Sequence, residues 1–432
     1  MTKIDSQILK LAIPSIISNI TVPLLGLADI AITGHLGSKV YIGAISVGGT
    51  IFSMIYWIFN FLRFGTGSET SRAYGSHRLD IATLTLVRSL IVGLSIALLL
   101  VLLQVPILKF SMLIVDASNE VTFWATEYFN ICIYGAFGML GLWCFTGWFV
   151  GMQNTKLPLV ILVVQNVVNI VLSLIFVFVL KLEVKGVALG TMCSQLLGLI
   201  LCFLLWLKYF GRLKKYIVWK QVFMLSELLK FFKLNSAIFL RTICVVAVTV
   251  YFTIAGAKMG DGILAANAVL MQFFMIFTFF IDGFAYSGEA LCGKFFGAGN
   301  FESLNQTIKS LFKFGWSVGV AFAVVYFFSG GYIVSLLTDQ QEVVKIAKVY
   351  LIWIWALPMC GVAAFVWDGV FIGLGKTFSM LMCCFWAAVT YFAIWFCFGD
   401  SWQNHALWLA FDSYLIVRGL VLWIYSLKVK LK

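Results

Sequence analysis

Long apolar runs follow one another through the whole of this 432-residue chain, and they limit its possible folds more than any other feature. Twelve of them are about 20 residues or longer, which is the length a helix needs to cross a bilayer. Charged residues, glycine, proline and asparagine separate the runs. The predicted spans are 7–35, 41–74, 81–108, 119–148, 158–180, 186–208, 226–257, 262–295, 303–330, 343–372, 378–398 and 404–427.

Composition supports a membrane protein, since 62% of the residues are hydrophobic and only 11% are charged. No soluble domain of this size requires so much apolar surface, so the chain is predicted to be an all-α integral membrane protein. The net charge of +12 would suggest a nucleic-acid partner for a soluble protein. Here most basic residues lie in short loops and tails, so membrane orientation explains them better, and we expect no nucleic-acid partner.

The basic residues also predict the orientation. With the N-terminus inside, 20 of the 30 lysines and arginines fall on the inner side, seven on the outer side and three within spans. Because cytoplasmic loops carry the excess of Lys and Arg, both termini are predicted to be cytoplasmic, in a multi-pass protein of the cell inner (plasma) membrane.

Two halves of six spans each are predicted: an N-lobe over 1–208, a basic cytoplasmic linker over 209–225 and a C-lobe over 226–432. The halves look like repeats, because YGSHRLD (74–80) matches FGAGNFE (296–302) and Gly151 matches Gly373 at the same shift in residue number, which we call the repeat offset. Six helices per half give both lobes the same orientation, so the pseudo-two-fold axis should run along the membrane normal. Such repeats are typical of transporters.

Four polar residues of the first half are predicted to lie at a similar depth in the outer half of the membrane: Asp29, Asn169, Ser173 and Thr191. An acid within a span is costly and asks for a reason. Neighbouring amides and hydroxyls can bond a carboxyl group in either protonation state, so a site that binds a proton or cation is one interpretation. The other interpretation is that these polar residues pair only for helix packing.

A second group of intramembrane charges spans both halves: Arg63, Arg241, Asp282 and Asp368. The repeat matches Asp282 with Asn60, one turn from Arg63. Arg63 and Asp282 are therefore predicted to pair across the lobes, either as a gate or as plain charge neutralisation. The alternative is that Arg241 neutralises Asp282 or Asp368 within the second lobe. Asp412 and Arg418 in the last span are interpreted as packing residues or as a local pair.

The sequence resembles the multidrug and toxic compound extrusion (MATE) family, in its DNA-damage-inducible-protein-F-like branch. The resemblance runs from end to end, and its clearest stretches are ILKLAIPSIISNITVPLLGLADIAITGHLGS (8–38), FLRFGTG (61–67), FIDGFAYSGEALCG (280–293) and WDGVFIGLGKT (367–377). It implies a V-shaped pair of helical lobes, alternating access, and export of cationic amphipathic compounds against an inward proton or sodium gradient.

By motif, the resemblance makes Asp29 the coupling acid, Asn169 and Thr191 its polar partners, and Pro14 the proline where the first helix bends. A static kink that only shapes packing is the alternative for Pro14. Ser173 stands where some relatives carry a second acid. A sodium ion prefers several oxygen ligands, so this departure favours protons and leaves sodium open.

The function predicted is therefore a secondary active multidrug exporter of cationic compounds, monomeric, with no cofactor beyond its coupling ion. A flippase for a lipid-linked saccharide is the alternative, but it needs a basic cavity, and only three cations lie within the spans. An enzyme is disfavoured, because the chain has no HExxH motif, no Ser/His/Asp set and no phosphate-binding loop. The cysteines and histidines show no metal-ligand spacing, so no metal is expected.

Overall fold

Helices account for all the regular structure in the computed structural model, which describes residues 2–35, 38–114 and 118–428. Their bounds are α1 Lys3–Gly34, α2 Lys39–Phe59, α3 Phe61–Gly75, α4 Leu79–Leu102, α5 Gln104–Ile114, α6 Asn119–Cys132, α7 Ala136–Gly151, α8 Lys156–Leu174, α9 Glu183–Phe210, α10 Trp219–Val222, α11 Leu225–Lys258, α12 Asp261–Gly297, α13 Phe301–Leu337, α14 Gln341–Leu374, α15 Thr377–Trp402 and α16 Asn404–Lys428.

Twelve stretches of the described chain are long and apolar enough to span a membrane, as predicted. Three of the predicted spans extend over two helices each. Span 2 breaks at Asn60, between α2 and α3, and span 3 breaks at Leu103, between α4 and α5. Span 4 passes through a short 3-10 turn, Ile133–Gly135, between α6 and α7. Span 5 ends in a π-helical turn, Ile175–Val179, which directly follows α8. The predicted all-α fold with twelve transmembrane helices is confirmed.

The predicted internal repeat appears in the helix boundaries. In the first half, α1, α2, α4 and α6 begin at Lys3, Lys39, Leu79 and Asn119. In the second half, α11, α12, α13 and α14 begin at Leu225, Asp261, Phe301 and Gln341, each shifted by the repeat offset. Since these helix starts keep their spacing, one offset relates the two halves over most of the chain.

The same offset relates the closest helix contacts. A Cβ atom on Gly147 of α7 would lie 2.2 Å from the carbonyl oxygen of Arg63 in α3. In the second half, a Cβ atom on Gly369 of α14 would lie 2.2 Å from the carbonyl oxygen of Ala285 in α12. Both residues of the second contact follow those of the first by the repeat offset. Small residues at helix crossings let two backbones approach closely, so both halves use one packing device at equivalent places.

Two compact units divide the chain. The N-terminal unit is Ile17–Phe231, and the C-terminal unit is Phe232–Lys432 together with Met1–Ile16. The division differs from the predicted lobes at both boundaries, because the first half of α1 belongs to the C-terminal unit and the linker residues belong to the N-terminal unit. It crosses α1 shortly after Pro14.

Each unit has an aromatic core. In the N-terminal unit, the ring of Phe52 stacks on Phe129 with their centroids 5.1 Å apart, beside the buried Tyr128. In the C-terminal unit, Tyr326 donates a 2.7 Å hydrogen bond to the Phe273 carbonyl oxygen, and the two rings meet edge to face. These cores fix the helices that carry the polar residues described below.

Candidate functional site

Helix α1 is attached to a different unit on each side of the division. In the first half of α1, the Ile8 carbonyl oxygen accepts a 3.2 Å hydrogen bond from the Ser287 hydroxyl of α12. Gly283 of α12 leaves room for Ile16, because a Cβ atom added to Gly283 would lie 2.3 Å from Ile16 Cγ1. After the division, the Asn166 amide of α8 donates a 3.3 Å bond to the Thr21 carbonyl oxygen. The half of α1 that bears Asp29 therefore belongs to the N-terminal unit.

Asp29 lies near the C-terminal end of α1, among neutral groups. Its Oδ1 atom is buried, and no residue in the described part of the chain donates a hydrogen bond to it. The hydroxyl of Thr33 donates to the backbone carbonyl of Asp29 instead of the carboxyl group. From α6, Tyr128 and Cys132 are close enough to interact electrostatically with the Asp29 carboxyl.

Asn169 joins α8 to α9. Its Nδ2 atom donates to the hydroxyl oxygens of Thr191, at 3.2 Å, and Ser194, at 3.3 Å. The Ser194 hydroxyl in turn donates a 2.8 Å bond to the Thr191 carbonyl oxygen. The Asn169 side chain is 1% exposed, so this is a bonded network inside the helix bundle. The residues that the sequence placed at one depth thus lie on facing helices.

Tyr128 connects the acid to this network. Its ring is buried, and its hydroxyl lies close to the Thr191 and Cys132 side chains and to the Asp29 carboxyl. The Cys132 thiol donates a 3.6 Å bond to the Ala188 carbonyl oxygen and so ties α6 to α9. Asp29, Tyr128, Thr191 and Asn169 therefore form one polar cluster, which we call the Asp29 cluster.

Ser173 lies one turn beyond Asn169 on α8. Its side chain is fully buried, and its Oγ atom has no hydrogen-bond partner among the residues described. It packs against Gly190, where an added Cβ would lie 2.3 Å from Ser173 Oγ and 2.9 Å from Ser173 N. The π-helical turn that follows is a feature often found at functional sites.

A different arrangement surrounds Asp368 of α14 in the C-terminal unit. Its Oδ2 atom accepts hydrogen bonds from the guanidinium groups of both Arg241 and Arg418. Of the two partners that the sequence left open for Arg241, Asp368 is the one it contacts. Of the two interpretations of Asp412 and Arg418, the local pair is wrong, because Arg418 contacts Asp368 of α14 instead and both Asp412 oxygens lack a hydrogen-bond partner among the described residues.

The predicted pair of Arg63 and Asp282 joins residues of the two units and stays a prediction. Arg63 is buried in α3, with its guanidinium carbon 4.7 Å from the centroid of the Phe64 ring. Sequence reasoning missed Tyr128 of the Asp29 cluster and its neighbour Cys132. Their i, i+4 spacing puts them on one face of α6, but a tyrosine and a cysteine in an apolar run carry no further signal.

Comparison with known proteins gives consistent results. The profile of the MatE family matches residues 14–175 and 221–397. The DNA damage-inducible protein F of Escherichia coli K12 is 35% identical over 428 residues, which cover 98% of this chain and 92% of that protein. The probable multidrug resistance protein NorM of Thermotoga maritima is 22% identical over 408 residues, 91% of this chain and 84% of that one.

A solved structure shows the same fold. The Vibrio cholerae MATE transporter VcmN, in its bent form, matches with a TM-score of 0.87 and 20% sequence identity, over 98% of this chain and 96% of that one. The family profile and the relative from E. coli each extend over well more than half of the chain. The chain therefore belongs to the MatE family of membrane transporters.

Proposed function

We propose that this transporter is an antiporter, which exports cationic amphipathic compounds in exchange for protons, and that Asp29 is the carboxyl group that exchanges the proton. The name multidrug resistance protein, given to the relative from T. maritima, suggests the class of substrate. An acid at the site favours cations among such compounds, because the carboxylate attracts a positive charge and a proton neutralises it.

The observation that supports this role is the unpartnered Oδ1 atom of Asp29. A carboxylate that is buried without donors is unstable, whereas an ion pair would hold it permanently ionised. Asp29 has neither kind of fixed partner among the described residues, and the groups around it are a phenol, a thiol, hydroxyls and an amide. Because these neighbouring groups are polar and neutral, a conformational change that turns their dipoles towards the carboxyl group would change its protonation state.

Helix α1 offers the route by which protonation acts on the rest of the molecule. It carries Asp29 in the N-terminal unit, yet its first half belongs to the C-terminal unit, and Pro14 removes a backbone hydrogen bond close to the division. A bend there would respond to the protonation of Asp29. Coupling follows when the substrate and the proton favour different conformations, because a ligand with equal affinity for both states shifts nothing.

The membrane potential supplies the driving force in the predicted orientation, with both termini in the cytoplasm. A proton that moves inward gains about 2.3 kcal/mol per 100 mV. Protons suit the site better than sodium, because Ser173 contributes one neutral oxygen where a hard cation would gain from a carboxylate.

Transport by purified protein in liposomes tests the proposal. With tetraphenylphosphonium as the probe cation, we expect an imposed proton gradient to drive its movement in wild type and a sodium gradient alone to have no effect. Asp29→Asn should abolish the proton-driven movement, because the amide cannot release a proton at this position. The measurement is the initial rate of probe flux under each gradient.

Asp400→Asn is the matched control, since it makes the same chemical change at an exposed position of α15. It should transport like wild type. If Asp29→Asn also keeps the wild-type rate, the coupling role of Asp29 is refuted. If a sodium gradient alone drives transport, the ion is assigned wrongly while the antiport remains.

A further inference from the structure

A second buried acid, Asp412, lies in the C-terminal unit, outside the Asp29 cluster. It is on α16 and 4% exposed, and neither of its carboxyl oxygens has a hydrogen-bond partner among the residues described. Its neighbours one turn away on the same helix, Trp408 and Leu415, are fully buried. Asp412 is thus more completely enclosed by apolar groups than Asp29.

The cations that could neutralise Asp412 are already bonded elsewhere. Arg418, further along α16, donates to Asp368, and so does Arg241 of α11. Both arginines thus have Asp368 as their partner. Asp412 has no such partner in the described structure.

Among the described residues, no charged group on the helices around Asp412 pairs with it. Helices α14 and α15 pack against α16. The thiol of Cys360 on α14 is the group that interacts electrostatically with Asp412. Several other buried titratable side chains of these helices and of α11 interact with one another: Arg241 on α11, Asp368 on α14, Cys383 and Cys384 on α15, and Tyr414 and Arg418 on α16.

From α11 and α12, uncharged side chains approach this part of α16. Phe252 and Phe274 meet the Phe411 ring edge to face or tilted, and Asn267 accepts a 2.9 Å bond from Trp408. A carboxylate enclosed in this way, with no donor and no counter-ion, is strongly disfavoured relative to the neutral acid. These surroundings therefore favour the protonated acid at Asp412.

The internal repeat relates the position of Asp412 to the Asp29 cluster. The repeat offset matches Asp412 with Gly190, the residue of α9 that packs against Ser173 beside Thr191. In the N-terminal unit, this part of the fold carries the Asp29 cluster, and its acid comes from α1. In the C-terminal unit, the equivalent part of the fold has its own acid, and that acid comes from α16.

We propose that Asp412 is a second proton-binding carboxyl group, distinct from Asp29, at the equivalent place of the C-terminal unit. Its role in transport would rest on the antiport proposed above, but the bound proton does not.

Infrared difference spectroscopy of the full-length protein in liposomes tests the bound proton directly. We expect wild type at neutral pH to show the C=O stretching band of a protonated, buried carboxyl group. Asp412→Asn should remove this contribution, because the amide has no carboxyl stretch. Asp400→Asn, which alters an exposed acid, should leave the band unchanged.

Asp412→Glu is a second test in case the asparagine variant does not fold. It keeps a carboxyl group and should move the band to a new frequency without abolishing it. A band that is identical in wild type, Asp412→Asn and Asp412→Glu would overturn the proposal. The spectra need no gradient and no substrate. If Asp29→Asn transports normally and the band still depends on Asp412, the coupling role of Asp29 is refuted while this site stands.

Discussion

At two pairs of equivalent positions, one repeat has polar side chains and the other has aromatic rings. In the N-terminal unit these positions hold Asp29 and Asn169. In the C-terminal unit, the repeat offset matches them with Tyr251 and Tyr391, whose rings meet at right angles with centroids 6.3 Å apart. Phe392 and Trp395 add further edge-to-face contacts to Tyr251. One repeat therefore keeps a polar cluster where the other has packed rings.

The buried acids differ in the same way. Asp368 of the C-terminal unit is fixed between two guanidinium groups, whereas Asp29 of the N-terminal unit lies among neutral groups. A carboxylate with fixed counter-ions stabilises the fold but cannot exchange its charge cheaply. A carboxyl group among neutral dipoles contributes little to stability and can change its charge. The comparison therefore supports a structural role for Asp368 and the proposed proton exchange at Asp29, and three sets of variants test it.

Asp368→Asn should give the largest effect on stability. It removes the only carboxylate that contacts Arg241 and Arg418 among the described residues, and leaves two buried cations without a partner. Breaking a buried ion pair in this way costs about 3–5 kcal/mol. Asp29→Asn should leave the free energy of unfolding nearly unchanged, because no fixed charge depends on it. Thermal unfolding of both variants in detergent measures the contrast.

Equal unfolding temperatures for Asp368→Asn and wild type would contradict the structural role. A large loss of stability in Asp29→Asn would contradict the other half of the comparison, since it would mean that the Asp29 carboxylate has a fixed partner.

Much of this architecture could be predicted from the sequence, because the bilayer imposes a length and an apolar composition on each span. The repeat could be predicted as well, since one offset relates Gly151 to Gly373 and also the helix starts. The depths predicted along the spans placed Asn169 level with Thr191, and the two side chains are hydrogen-bonded. The choice of partner by a long side chain could not be predicted: Arg418 lies close in sequence to Asp412, yet it bonds to Asp368, 50 residues away.

Tyr128 shows a second limit. It connects Asp29 to Thr191, but in the sequence it is one of 15 tyrosines, and nothing in its neighbourhood indicates a polar role. The position of a neutral side chain in a site depends on how α6 packs against α9, which is a tertiary contact rather than a pattern in the sequence.

Gly190→Ala should weaken transport while it leaves every polar residue in place. The new Cβ would lie 2.9 Å from the backbone nitrogen of Ser173, so α8 and α9 must move apart, at a cost of about 1–3 kcal/mol. The bond from Asn169 to Thr191 joins the same two helices and should lengthen or break. We expect a fall in probe flux of about tenfold, which corresponds to about 1.4 kcal/mol.

Gly49→Ala is the control for this variant, because nothing lies within 4 Å of an added Cβ at that position of α2. It should keep the wild-type flux. Wild-type flux in Gly190→Ala would mean that the contact between α8 and α9 does not shape the Asp29 cluster.

The smallest effect should come from a pair of matched tyrosine variants. Tyr128→Phe removes the hydroxyl that interacts with Thr191 near Asp29, and Tyr391→Phe makes the same change at the position equivalent to Asn169. The Tyr391 hydroxyl is buried without a hydrogen-bond partner among the described residues, so its loss should be neutral or slightly stabilising. Tyr128→Phe removes a buried hydroxyl beside Thr191 and Asp29, and a loss of about 1 kcal/mol at the site would reduce proton-driven flux by about fivefold. Flux and unfolding temperature should be measured for both variants; a change of flux in Tyr391→Phe that equals the change in Tyr128→Phe would show that both repeats, and not the Asp29 cluster alone, carry the exchange.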